Sequence, residues 1–240
     1  MTQLEKVLGP DLTQILKNAS RELSAETAKD VLPSSLVSPE QQAALLETQT
    51  MESFEKLSAD YEEAAHILLA TLDVISRTRP DINYEKAVSE LRNASMAATT
   101  ETFSRALLFQ ENEQPLTNET LSALTDTAKY IFQEKQYAKA MSCFSLLYSI
   151  DPDSYANWVG FGHSAFHTQQ YDTAILAYYM ATSLDPVNPW PLLWAANTCE
   201  NKQDLTAAHQ LLERAKVVAC DSEVNEYGAL VKEIDERLKK

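Results

Sequence analysis

From Leu121 onward the chain repeats itself every 34 residues. Asp151-Pro152 and Asp185-Pro186 are one period apart, as are Tyr137 and Tyr171, and Ala140, Ala174 and Ala208 mark three successive periods. Thirty-four residues is the length of a tetratricopeptide helix-turn-helix unit. A single such hairpin cannot bury its own apolar face, so units stack on their neighbours. The period therefore predicts an all-α fold, a tetratricopeptide-repeat (TPR) helical-hairpin solenoid with an N-terminal helical extension.

The landmark residues fit that reading physically. The second unit carries Trp158, Phe161, Gly162, Ala174, Tyr178, Ala181 and Pro186, a W-x2-aromatic-G pattern followed by Ala-x3-aromatic and a closing Pro. Gly162 and Ala174 are small where two helices cross closely, the aromatic residues fill space between helices, and Pro186 stops the second helix. The first unit, about 121–154, has Leu124, Ala128, Ala140, Phe144 and Pro152. The third, about 189–222, has Leu192, Ala195, Ala196, Ala208, Leu212 and Ala215, with Cys220 where Pro usually sits. A last helix over about 223–239 is expected to cap the stack with a charged outer face of Lys232, Glu233, Asp235, Glu236 and Arg237.

Composition agrees with an all-helical chain: only four Gly occur in 240 residues, too few for the turns of most sheet proteins. The net charge is −15. Both halves share it, with 10 basic against 19 acidic residues in 1–115 and 10 against 16 in 116–240. Such a surface repels phosphate backbones and anionic headgroups, which disfavours nucleic acid and membrane surfaces as partners. No apolar run approaches the ~18 residues that span a bilayer, and the opening MTQLEKVLGPDL lacks a basic region followed by an apolar core, so no secretory signal is expected. Cys143, Cys199 and Cys220 are odd in number and widely spaced, which argues against a disulfide framework or a zinc site and for small buried thiols.

Ahead of the repeats, residues 1–115 read as a helical region. Leu4, Val7, Leu8, Leu12, Ile15 and Leu16 recur at helical spacing, a Pro/Ser linker covers about 31–39, and Ser38 and Pro39 suit a helix start. A long helix over roughly 40–78 carries one stripe, Met51, Phe54, Leu57, Tyr61, Ala64, Leu68, Leu72 and Ile75, able to pack within the protomer or against a partner helix. Another helix, about 83–109, uses Tyr84, Ala87, Val88, Leu91, Ala98 and Leu107. The polar stretch ending at Pro115 places the domain boundary there, dividing the chain into 1–115 and 116–240.

In a TPR stack the first helix of each hairpin lines the concave side. That side is expected to present Thr125, Lys129, Phe132 and Gln133 from unit one, Val159, His163, Phe166 and His167 from unit two, and Trp190, Leu193, Asn197 and Glu200 from unit three. The mixture of apolar and hydrogen-bonding groups suits an extended peptide with a few apolar anchors.

Residues 116–240, in particular YANWVGFGHSAFHTQQYDTAILAYYMATSLDP and PWPLLWAANTCENKQDLTAAHQLLERAKVVA, resemble the class II chaperones of bacterial type III secretion, the SycD/LcrH group. The resemblance implies a chaperone of the bacterial cytoplasm that keeps hydrophobic, pore-forming translocators soluble before export and grips an extended client segment in its groove. Carried over by position, it implies groove contacts at Phe132, Tyr137, Ile150, Trp158 and Phe161. Thr125 and Lys129 stand where that family commonly places aromatic residues. The family also dimerises through a short N-terminal helical segment, which implies a homodimer through the N-terminal helices here, although the resemblance does not cover residues 1–115. A general TPR scaffold joining protein partners is the alternative function.

Chemistry is not indicated. Gly160-x-Gly162-x-x-Ala165 matches a loose dinucleotide fingerprint, but no strand precedes it and it falls inside a repeat helix. His163 and His167 lie four apart without an evident third ligand, so neither a metal nor a cofactor is expected. No Ser/His/Asp or Cys/His motif context occurs, so the chain is not expected to be an enzyme.

Overall fold

In a computed structural model of the chain, the described residues are 60–77 apart from 62, 83–97, 116–221 and 227–239. They are helical throughout, joined by turns. They fall into two compact units, one holding 60, 61 and 63 with 83–97 and 116–120, and the other holding 64–77 with 121–221 and 227–239. In the first unit, α2 (Tyr84–Ala97) buries Ala87. Its Glu90 carboxylate accepts from the Thr117 backbone N–H at 2.9 Å.

The repeat unit starts earlier than the sequence division implied. Helix α1, helical over 63–76, was assigned to the N-terminal region, yet residues 64–77 belong with the repeats. Its Ala64, Leu68 and Leu72 are fully buried, one face at spacings of four. The Cys143 thiol donates a weak hydrogen bond to the Ala64 carbonyl at 3.8 Å, which ties α1 to the first hairpin. Met51, Phe54, Leu57, Ala98, Leu107, the linker at 31–39 and the polar stretch ending at Pro115 lie outside the described residues, as do Leu4, Val7, Leu8, Leu12, Ile15 and Leu16.

Three hairpins follow. They pair α3 (Asn118–Gln133) with α4 (Tyr137–Ile150), α5 (Tyr155–His167) with α6 (Tyr171–Leu184), and α7 (Trp190–Asn201) with α8 (Leu205–Asp221). A final helix, α9 (Gly228–Arg237), packs on α8. Among the described residues no helix is long and apolar enough to cross a membrane.

The period is written into the backbone as well as the side chains. Lys135, Gln169 and Gln203, each 34 residues from the next, adopt positive φ of 61°, 62° and 66°. At each the chain closes the first helix of its hairpin with the same pair of bonds. The Lys135 N–H donates to Phe132 O at 2.9 Å and the Gln136 N–H to Ile131 O at 3.2 Å, and the pair recurs from Gln169 and Gln170 and from Gln203 and Asp204. This is the Schellman closure, a left-handed residue just past the helix end that satisfies two orphan carbonyls. Glycine usually occupies that position, and here none of the three is glycine.

The hairpins interlock through two glycines of α5. A Cβ on Gly160 would lie 2.3 Å from the Phe144 ring of α4, and one on Gly162 would lie 2.6 Å from the Tyr178 ring of α6. The dinucleotide-like spacing is therefore a packing feature, with each glycine receiving a ring from a different neighbouring helix and Ala165 fully buried beside them. The core continues through Ala174, Tyr178, Leu192, Ala196, Leu212 and Ala215 to Leu230 and Ile234 of α9. The cap holds by ion pairs too: Lys216 meets Asp235 at 2.6 Å and Arg237 meets Glu200 at 2.8 Å. Asp235 and Arg237 thus turn toward the repeats, while Lys232, Glu233 and Glu236 stay exposed. Cys143 and Cys199 are buried, but Cys220, expected to be buried, is exposed on α8 because its register position points away from the core.

A non-glycine side chain at positive φ costs roughly 1–2 kcal/mol, partly offset by the greater unfolded-state freedom of glycine. Lys135→Gly, Gln169→Gly and Gln203→Gly should each raise unfolding free energy by roughly 0.5–1 kcal/mol, measured by urea denaturation. The three closures share no hydrogen-bond partner, so the triple variant should approach the sum. Destabilisation by any one would contradict the assigned closure.

Candidate functional site

The first helices of the three hairpins carry a row of rings. It begins where α3 turns into α4: Phe132 and Tyr137 meet edge-on with centroids 5.1 Å apart. His167, at the end of α5, stacks on Tyr137 at 4.2 Å with planes 10° apart and lies 5.5 Å from Phe132. One turn back, His163 lies 6.3 Å from Phe132 and 4.6 Å from Trp194 of α7. Trp194 then lies 6.3 Å from Trp190. Phe166 branches off between His167 and Tyr171. The row runs from the α3–α4 turn across α5 to α7 because positions 163, 166 and 167, spaced three and four apart, share one side of α5.

The middle of the row is fastened to the core. His163 Nδ1 and the Tyr178 hydroxyl share a hydrogen bond of 2.8 Å. Burial pushes the His163 imidazole down to about 4, assisted by the nearby His167. Burial likewise raises the Tyr178 phenol well above its ordinary value. Near neutral pH both are therefore uncharged, and the bond is a neutral one. The ends of the row are more open: His167 is exposed, and Trp190 is 40 % exposed.

Of the residues the sequence assigned to the groove, Phe132, Tyr137, His163, Phe166, His167 and Trp190 come together in this row. Lys129 is exposed beside it and pairs with Asp126 at 3.1 Å. Val159, Asn197 and Ile150 are half-buried, Gln133 and Glu200 exposed.

Two expected lining residues lie beneath the surface. Thr125 is buried and donates from Oγ1 to the Asn157 Oδ1 at 2.9 Å, a link between α3 and α5 that consumes its hydroxyl. Leu193 is buried at 4 % within the core cluster, among residues of α6, α8 and α9.

Trp158 and Phe161 form a second cluster around Tyr148 of α4. Trp158 stacks on Tyr148 at 4.2 Å, Phe161 meets it at 5.0 Å, and the Trp158 indole N–H donates to the Pro152 carbonyl at 2.7 Å.

Sequence reasoning missed three contributors. Trp194 follows Trp190 by one helical turn, a spacing that would have placed both on one face. The Tyr178 hydroxyl reaches the row although its ring was assigned only to helix spacing. Asn157 gave no periodic signal. Among the described residues no group of three or more His, Cys, Asp or Glu is placed to hold a metal ion. The arrangement offers ring faces, ring edges and imidazole nitrogens, and so can hold apolar and proline-like side chains while pairing with backbone amides.

No family model and no curated protein matches the chain. Solved structures similar to it include translocator chaperones of type III secretion. One is the Yersinia enterocolitica chaperone SycD in complex with a peptide of the translocator YopD, at 24% identity over 51% of this chain and 92% of that one, TM-score 0.47. Another is PcrH with the chaperone-binding region of PopD, at 22% identity over 52% and 92%, TM-score 0.48. A third is a type III secretion complex from Aeromonas hydrophila, at 19% identity over 52% and 81%, TM-score 0.48.

A histidine with a lowered folded pKa binds fewer protons when folded than when unfolded. Its contribution to stability is complete above about 6.5 and is lost as pH falls toward about 4. Urea unfolding at pH 7 and pH 5 should therefore show a loss of about 2 kcal/mol that His163→Gln does not show. Equal pH dependence in the two proteins would contradict the buried neutral assignment.

Proposed function

We propose that this chain is a binding protein, not an enzyme. It acts as a type III secretion chaperone in the bacterial cytosol and holds an extended segment of a hydrophobic translocator along the row from Tyr137 to Trp190. The observation that carries this reading is the row itself: partly exposed aromatic and imidazole rings on three successive first helices, with its central histidine fixed to Tyr178. An extended peptide advances about 3.3 Å per residue, so alternate side chains can fall on successive rings while the backbone faces polar groups at the margins. The uncharged imidazole at the centre suits apolar anchors, since a charged one would have to be desolvated on binding. The client class comes from the resemblance of residues 116–240 to translocator chaperones. The acidic surface supports solubility of the complex, because a net charge far from zero opposes aggregation when an apolar client is held.

Within this reading Phe132, Tyr137, His163, Phe166, His167 and Trp190 bind the client, with Trp194 joining them. Lys129, Val159 and Asn197 flank the segment. Trp158, Phe161 and Ile150 act through the packing of α4 against α5.

Co-expression of the full chain with candidate translocators, followed by co-purification, tests the proposal. The wild type should retain a translocator in solution. Phe132→Ala combined with Trp190→Ala removes two anchors that are not fully buried, and retention should fall at least ~10-fold, equivalent to about 1.4 kcal/mol, with the helical circular dichroism signal unchanged. A folded variant that retains the client as well as the wild type would move the client off the row and favour a general scaffold.

A further inference from the structure

Helix α7 opens on an exposed aromatic ring whose backbone is held from three directions. Trp190 faces Trp194 at 6.3 Å, the last step of the ring row. It stands between Pro189, which is buried with φ −75°, and Pro191. A proline pushes the residue before it away from helical backbone, yet Trp190 is already helical. Neither proline carries an N–H, so Trp190 owns the one backbone donor in 189–191. That donor meets Asn188 Oδ1 at 3.1 Å. The Nδ2 of the same amide donates to Asp185 Oδ2, just past the end of α6, at 3.0 Å, and to the Tyr155 hydroxyl, at the start of α5, at 3.2 Å. One orientation of the amide serves all three partners, because the Trp190 N–H needs the oxygen and the Asp185 carboxylate needs the nitrogen. Burial pushes the Tyr155 phenol up to about 12, so it stays protonated and its oxygen accepts without charge.

The preceding repeat junction shows what the turn itself requires. There the Ser154 N–H donates to the Asp151 carbonyl at 3.3 Å, just as the Asn188 N–H donates to the Asp185 carbonyl at 3.3 Å. One period before Tyr155, Asn188 and Trp190 stand Leu121, Ser154 and Ala156. Ser154 caps α5 without a side-chain hydrogen bond, and the Leu121 side chain has no polar atom to offer. The turn therefore forms without a side-chain hub, and the hub occurs at the junction that carries the exposed tryptophan. We propose that Asn188 is a positioning residue of the client site: it ties the first residue of α7 to α5 and α6, so that the Trp190 indole stands as a fixed anchor at the end of the row. This rests on the reading of the row as the client site. Asn188 acts through Trp190, not by touching the client. A ring whose backbone is already held loses less conformational freedom when an apolar side chain settles on it.

Fluorine NMR of the full chain labelled with 5-fluorotryptophan is the test, with the signals of Trp158, Trp190 and Trp194 assigned by single Trp→Phe substitutions. Asn188→Ala should shift and broaden the Trp190 signal and leave that of Trp158 in place. Tyr155→Phe, a gentler change that removes one arm of the hub, should move the same signal by less. In co-purification with a co-expressed translocator, Asn188→Ala should lower retention about fivefold. Asn188→Ala/Trp190→Ala should retain as much as Trp190→Ala alone, since the two residues act as one. A Trp190 signal unmoved by Asn188→Ala would overturn the proposal. So would a further loss of retention when Asn188→Ala is added to Trp190→Ala, which would make Asn188 a support of the fold in general. Failure of the ring row looks different: Phe132→Ala and Trp190→Ala would each retain the translocator as the wild type does, and the client role of Asn188 would fall with the row whatever the fluorine signal shows.

Discussion

Helix α5 is held between its neighbours by two rings seated on two glycines. Phe144 of α4 occupies the space a Cβ on Gly160 would need, and Tyr178 of α6 does the same at Gly162. These contacts fix how far α5 is rotated about its own axis and how closely the first two hairpins approach. Interiors are packed too tightly for such a rotation to drift. With that rotation set, His163 and His167, four residues apart on one side of α5, both reach Phe132, and His163 also reaches Trp194. The row of rings is thus a consequence of where two small residues allow a neighbour to come close.

Tyr178 connects the two roles. Its ring seats on Gly162, and its hydroxyl reaches His163 at the centre of the row. The residue that sets the helix spacing also fixes the imidazole. The hydrogen bond keeps the half-buried polar atoms of both residues satisfied, and burial keeps the imidazole neutral. The row is therefore preorganised at its middle and open at its ends, where His167 and Trp190 are exposed. A peptide site of this kind avoids much of the cost of ordering its own side chains on binding.

Periodicity made most of the helices legible. The 34-residue landmarks located all three hairpins, the cap, and the tight crossing at Gly162. They did not reveal the partner of Gly160, because the Phe144 contact comes from the preceding hairpin and the local spacing imitates a cofactor motif. Period alone states which side chains point the same way, not which of them the next repeat covers. That is why Thr125 and Leu193 were expected on the surface and lie under it, and why Cys220 was expected inside and lies outside. The left-handed turns at Lys135, Gln169 and Gln203 were hidden for a different reason: without glycine, nothing in composition announces a positive φ. Helix α1 was readable as an amphipathic stripe, but its membership of the repeat unit depends on contacts with α4 across roughly 80 residues of chain, beyond the reach of local pattern.

The central claim is that an extended client lies along the ring row. Site-specific photocrosslinking addresses it most directly, with a photoreactive amino acid placed in turn at Lys129 and Asn197 beside the row and at His209 on the exposed face of α8, each in cells making a translocator. The account predicts adducts with the translocator from positions 129 and 197 and none from 209. Adducts from 209 with none from 129 or 197 would contradict it.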